Sequence, residues 1–155
     1  MGTPVYSFFG LSTSMTISLN TLATATGRQS TLIENSALNE GAMMVRVFYS
    51  IKTGTGPTAN STVVFYLIQG DNVASGGANI RTDGAGATDA AFTPVTASIM
   101  NVVQVSGTTG VVYTGSFLIR NPGPEWGIGV VNNTGVSLDS SAGGSLRYVT
   151  ESVST

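Results

Sequence analysis

The sequence predicts an all-β protein, a single antiparallel β-sandwich over residues 1–155, with eight or nine strands. Three observations carry this. Apolar residues recur at every second position in several runs. Gly, Pro, Asn and Ser clusters punctuate those runs about every 8–12 residues, as in sandwiches. No window holds a sustained helical period; the nearest, 35–44, is short and broken by Gly41. A jelly roll is the first choice of topology and another Greek-key arrangement the second, because periodicity does not reveal strand order.

Each element has its own signal. Met15, Ile17 and Leu19 alternate with Thr16 and Ser18, which predicts a half-buried strand. A second short strand is expected over 28–35, RQSTLIEN. Over 42–52 one parity holds Met43, Val45, Val47, Tyr49 and Ile51, and the other is mixed, which describes a central strand with one wholly apolar face. The run TVVFYLI, 62–68, is apolar on both faces and bounded by GTGPTANS and QGDN, so it reads as a sandwich-core strand. From 70 to 86 the chain is dense in Gly, Asn and Asp, a long loop with one short extended piece at 80–82. Further strands are expected at 98–105, 111–120, 125–132 and 146–153, separated by SGTTG, NPG and DSSAGG.

Composition narrows function. Six Lys plus Arg and eight Asp plus Glu make only 9% of the chain, against about 25% in ordinary domains. With a net charge of −2 and no basic cluster, a nucleic-acid partner is not expected. The chain has no Cys and no His, which removes thiolate nucleophiles, disulfides, Cys/His zinc sites and Ser-His-Asp arrangements. The opening MGTPVYSFFGLSTSM has no basic leader of the secretory kind, and no apolar run is long enough to span a membrane.

The carboxylates Glu34, Glu40, Asp71, Asp83, Asp89, Glu125, Asp139 and Glu151 stand singly. They lack a spacing that sets two of them across a glycosidic bond, and turn or edge roles are expected. Asp71, Asn72, Asn79, Asp83 and Asp89 share a Gly-rich region without EF-hand spacing; turn chemistry is preferred over a calcium site. GTG at 54–56 leads into Pro57 and not a helix, so no phosphate cradle is read there. The sequons at Asn60 and Asn132 carry little weight. No catalytic residue, cofactor or metal is assigned.

Two stretches suggest contact surfaces. Trp126, the only Trp, shares one strand parity with Ile128 and Val130, while Gly127 and Gly129 take the other and admit close approach of a neighbouring group. A core or subunit-interface position is preferred over a ligand-stacking one. PVYSFFG, with Pro4, Val5, Tyr6, Phe8 and Phe9, lies in a possible arm over 1–11 that either packs back as an edge strand or lies across a neighbouring chain. The arm and the strand bearing Glu125, Trp126, Ile128 and Val130 are the interface candidates.

GRQSTLIENS (27–36) and PEWGIGVVNNTGVSLDSSAGGSLRYV (124–149) resemble small tailed-bacteriophage virion proteins. In that family an early RQST…N strand follows a Ser/Thr/Ala-rich segment, and a late WGI.V.N.TG..L strand and turn precede the last strand. The resemblance runs from about 22 to 148 and is sharp in those two segments. It implies a head decoration (cement) protein, a jelly-roll sandwich located on the virion's capsid surface, with the major capsid protein as partner and a homotrimer as assembly. It implies no catalytic residue. The alternative expectation is a carbohydrate- or receptor-binding sandwich of a phage fibre or tail that uses Trp126.

Overall fold

The computed structural model describes residues 5–35, 44–70 and 89–154, with side chains described for 11–35, 44–70 and 89–150. These residues form strands and no helix. The strands are β1 (Val5–Ser14), β2 (Thr26–Gln29), β3 (Ile33–Glu34), β4 (Met44–Lys52), β5 (Thr62–Gly70), β6 (Ala90–Ala91), β7 (Ser98–Gln104), β8 (Val112–Arg120), β9 (Glu125–Asn133) and β10 (Gly144–Ser154). They pair antiparallel in two sheets. One sheet has the order β1-β10-β4-β8; the other runs β6-β2-β9-β5-β7, with β3 continuing the line of β2 along β9. The expected single-domain antiparallel β-sandwich is what forms, with ten strands among the described residues in place of the expected eight or nine, because short pairings at 33–34 and 90–91 count as strands of their own.

The core lies between the sheets and follows the alternation. Val45, Val47 and Ile51 on β4, Phe117 and Ile119 on β8, and Leu146 on β10 face Val63, Phe65 and Leu67 on β5, Trp126, Ile128 and Val130 on β9, and Val103 on β7. An aromatic trio crosses the gap, with Tyr49 4.8 Å from Phe65 and Phe65 5.6 Å from Phe117 between ring centroids.

β5 is apolar on both faces because both are covered. Its outer side chains Tyr66 and Ile68 join Leu32 and Phe92 in a second apolar cluster on the far side of the five-strand path. The backbone of β6 brings Phe92 there: Phe92 N–H donates to Gly27 O at 3.0 Å. A Cβ on Gly129 would strike the Phe92 ring, and one on Gly127 would come within 2.6 Å of Leu32 Cδ2. The bare parity of β9 is therefore a seat for these two side chains.

Two expectations need correction. Residues 15–19 keep the predicted alternation in burial, with Met15 and Leu19 enclosed, but they form no ladder. Met15 N–H donates to Leu146 O in one sheet and Thr31 N–H donates to Thr16 O beside the other. The segment crosses the side of the sandwich, which needs one apolar face just as a strand does. The single strand expected over 28–35 is two pieces, interrupted where Ser30 Oγ accepts from Ile128 N–H at 3.0 Å. The 35–44 window and the extended piece at 80–82 fall wholly or mostly outside the described residues.

Candidate interaction surfaces

The described carboxylates divide by structural job. Asp89 takes hydrogen bonds from Arg28 and from Ser18. Desolvation pushes its pKa up, but these donors outweigh it and hold the carboxyl below the ordinary range. Asp139 is held well below it, first by Lys52 Nζ at 3.0 Å and then by Ser141 and Ala142 N–H donors, both at 3.0 Å. It is the organising residue of the DSSAGG turn, as its Asx chemistry predicts. Glu34 and Glu125 stand directly opposite one another on β3 and β9, with Glu34 exposed and Glu125 buried. Asp71, Asp83 and Glu40 lie outside the described residues, as does the side chain of Glu151. Among the described residues no three acidic, His or Cys side chains gather as a metal set.

Trp126 is wholly enclosed within one chain, as are Ile128 and Val130, and Glu125 is 7% exposed. This corrects the interface assignment of that strand. β9 lies between β2/β3 and β5 in its sheet, so its inner face meets the opposite sheet and its outer face is occupied by Leu32 and Phe92. No ring surface of Trp126 is left for a sugar or a neighbouring subunit.

The arm resolves differently. The backbone of Val5, Tyr6, Phe8 and Phe9 belongs to β1, paired with β10 from Val5↔Ser154 to Phe9↔Thr150. The packed-back edge strand is the form present. Pro4 lies outside the described residues, and so do the four side chains.

At the other end of β9, the Asn132 sequon is a structural knot. Its buried amide Nδ2 donates to Leu22 O and Val136 O, both at 2.8 Å, while Oδ1 accepts from Thr134 N–H at 3.0 Å. The Thr134 hydroxyl lies 2.8 Å from the same oxygen. The side chain ties the NNTG turn to the segment leading into β2 and is closed to glycan attachment in the folded chain.

The surfaces that do face solvent are ones that sequence patterning left unassigned. The outer face of the four-stranded sheet carries Arg46, Phe48 and Lys52 on β4, Arg120 on β8 and Arg147 on β10. Four of the chain's six cationic residues thus stand on one sheet face. Phe48, 39% exposed, sits between Arg147 and Ser116 in the register. The mixed parity of 42–52 already held three of these residues; what it lacked was the neighbouring strands that complete the face. A separate apolar strip, Ile99 and Val102 on β7 with Val95 before it, is also exposed. Protein-family models and curated proteins return no match to this chain.

Proposed function

We propose that this chain is a non-enzymatic virion structural protein that binds a phage head surface and stabilises the capsid lattice. The observation that carries the reading is the closure of Trp126. The one aromatic that suggested a ligand site closes the fold instead, and what faces outward is suited to adhesion. Arg and Phe on a rigid sheet are residue types enriched at protein interfaces. The resemblance of 27–36 and 124–149 to head decoration proteins supports the same assignment.

The strand order fits as well. Counting β2 with β3 as one interrupted strand and setting β6 aside, the ten strands reduce to eight. One sheet then reads first, eighth, third, sixth and the other second, seventh, fourth, fifth. We read this as the order of two interlocked Greek keys, the jelly roll.

Mechanistically, a sandwich seated across a junction between capsid subunits adds buried area that must be lost before the lattice opens. Many copies act together, so modest affinity at each seat suffices. The partner is the major capsid protein. The homotrimer that the resemblance implies is no part of this reading: its proposed contact strand β9 is enclosed, and head binding requires no particular number of copies in solution. Purified protein mixed with phage heads that lack it tests the reading. Saturable occupancy and greater resistance of the heads to heat are expected; absence of binding to any head surface overturns it.

A further inference from the structure

We propose that β8 is a pairing edge, at which a second copy of this chain adds its own β8 antiparallel about a two-fold axis at Ser116. The inference goes beyond head binding and stands or falls on the isolated protein.

β8 is the outer strand of the four-stranded sheet. It matches β4 residue for residue from Val112↔Lys52 to Arg120↔Met44 with no register shift. Thr53 N–H donates to Val111 O, which fixes the phase of the ladder. Odd-numbered residues of β8 turn their main-chain groups to β4, and Val112, Thr114, Ser116, Leu118 and Arg120 turn theirs away. Among the described residues no strand pairs with that side, and Val112, Thr114, Ser116 and Arg120 are exposed.

Natural sheets protect such edges with bulges, short strands, prolines or inward charges. The other edges here have such protection: β1 has a bulge between Phe9 and Thr13, the β5–β7 pairing slips at Phe65/Tyr66, and β6 has two residues. β8 has nine residues, VYTGSFLIR, with no Pro and one charge, at its very end. An unprotected, regular edge is a template for another strand.

The occupant is a second copy because β8 complements itself. Centred on Ser116, an antiparallel pair sets Thr114 opposite the partner's Leu118 and Val112 opposite the partner's Arg120. The lone cation never meets its equivalent. Its aliphatic stem lies along Val112, which is 53% exposed in the single chain. Side-chain parity is preserved, so both outer faces merge into one surface. The five outward residues exchange about ten main-chain hydrogen bonds, the number found in an interface of ordinary size.

The chain has no Cys, so a single introduced thiol is a clean probe. At the axis, paired Cα atoms stand about 5.5 Å apart, inside the roughly 4.4–6.8 Å that a disulfide spans. Under mild oxidation Ser116→Cys is expected to form a covalent dimer at least tenfold faster than Ser140→Cys, which places the thiol in an exposed turn. Sedimentation of the unmodified protein is expected to show a monomer–dimer equilibrium. Ser116→Lys, which sets two ammonium groups face to face, is expected to weaken it roughly tenfold or more with an unchanged melting temperature of the monomer. Equal cross-linking rates for the two thiols, a strictly monomeric or three-fold mass, or a dimer indifferent to Ser116→Lys would each overturn the proposal. Head binding by a monomer would survive that outcome.

Discussion

The Trp126 indole stands edge-on to the Tyr148 ring, with centroids 5.3 Å apart and planes at 88°. One ring comes from β9 and the other from β10, so this pair, like the Tyr49–Phe65–Phe117 trio, joins the two sheets. Among the described residues the buried indole N–H has no hydrogen-bond partner, so the side chain contributes area and ring geometry there and no polar tether. Trp126→Ala is therefore expected to destabilise by about 3–5 kcal/mol, and Trp126→Phe by clearly less. Urea denaturation followed by circular dichroism checks both. As the only Trp, its emission in the native protein is expected to be blue-shifted and poorly quenched by iodide.

Gly129→Ala is expected to cost about 1–3 kcal/mol, because the added methyl displaces the Phe92 ring from its seat. The loss is specific to that contact. In a double-mutant cycle with Phe92→Ala, the combined loss falls short of the sum of the two single losses. Additive losses in thermal melts of the four proteins would contradict the packing described.

Asn132→Ala removes the amide donor to Leu22 O and Val136 O and the acceptor of Thr134 N–H, and a loss of about 1–3 kcal/mol is expected. Asn132→Asp has the same shape but points a carboxylate at two carbonyl oxygens. Its penalty is expected to shrink as the pH is lowered and the group takes up a proton. Melting temperatures at neutral and mildly acidic pH separate the two variants.

Asp89 and Asp139 both titrate below their ordinary range in the folded protein. For a depressed carboxyl the stabilisation is complete above the unfolded pKa, about 3.9 for Asp, and is lost as pH falls toward the folded value. Thermal stability is expected to drop below about pH 4. Asp139→Asn should remove part of that acid dependence while lowering stability at neutral pH.

The central strands were legible because their alternation is decided by burial on one known side. Residues 42–52 and 125–132 required only that two sheets face each other. The both-face apolarity of 62–68 also announced a second covered surface, and Gly127 with Gly129 announced a close neighbour. The identity of that neighbour was hidden, because Phe92 follows a two-residue strand in a Gly-rich region and only pairing with β2 brings it into place. Residues 15–19 misled for a physical reason: an extended chain that crosses the sandwich edge buries every second side chain just as a ladder strand does. The interface reading of Trp126 rested on parity alone, which does not distinguish a buried inner face from a sticky outer one. The edge at β8 depends on which strand lies outermost, a property of topology that no local run of residues encodes.

In the four-stranded sheet, β10 is inserted between β1 and β4. During synthesis the opening strand therefore has no ladder partner in that sheet until residues 144–154 have left the ribosome. Until then β1 waits as an orphan beside the β4–β8 pair. Completion is thus late relative to the making of β1, with a long loop to close. A nascent chain stalled before β10 is where a chaperone would be needed most.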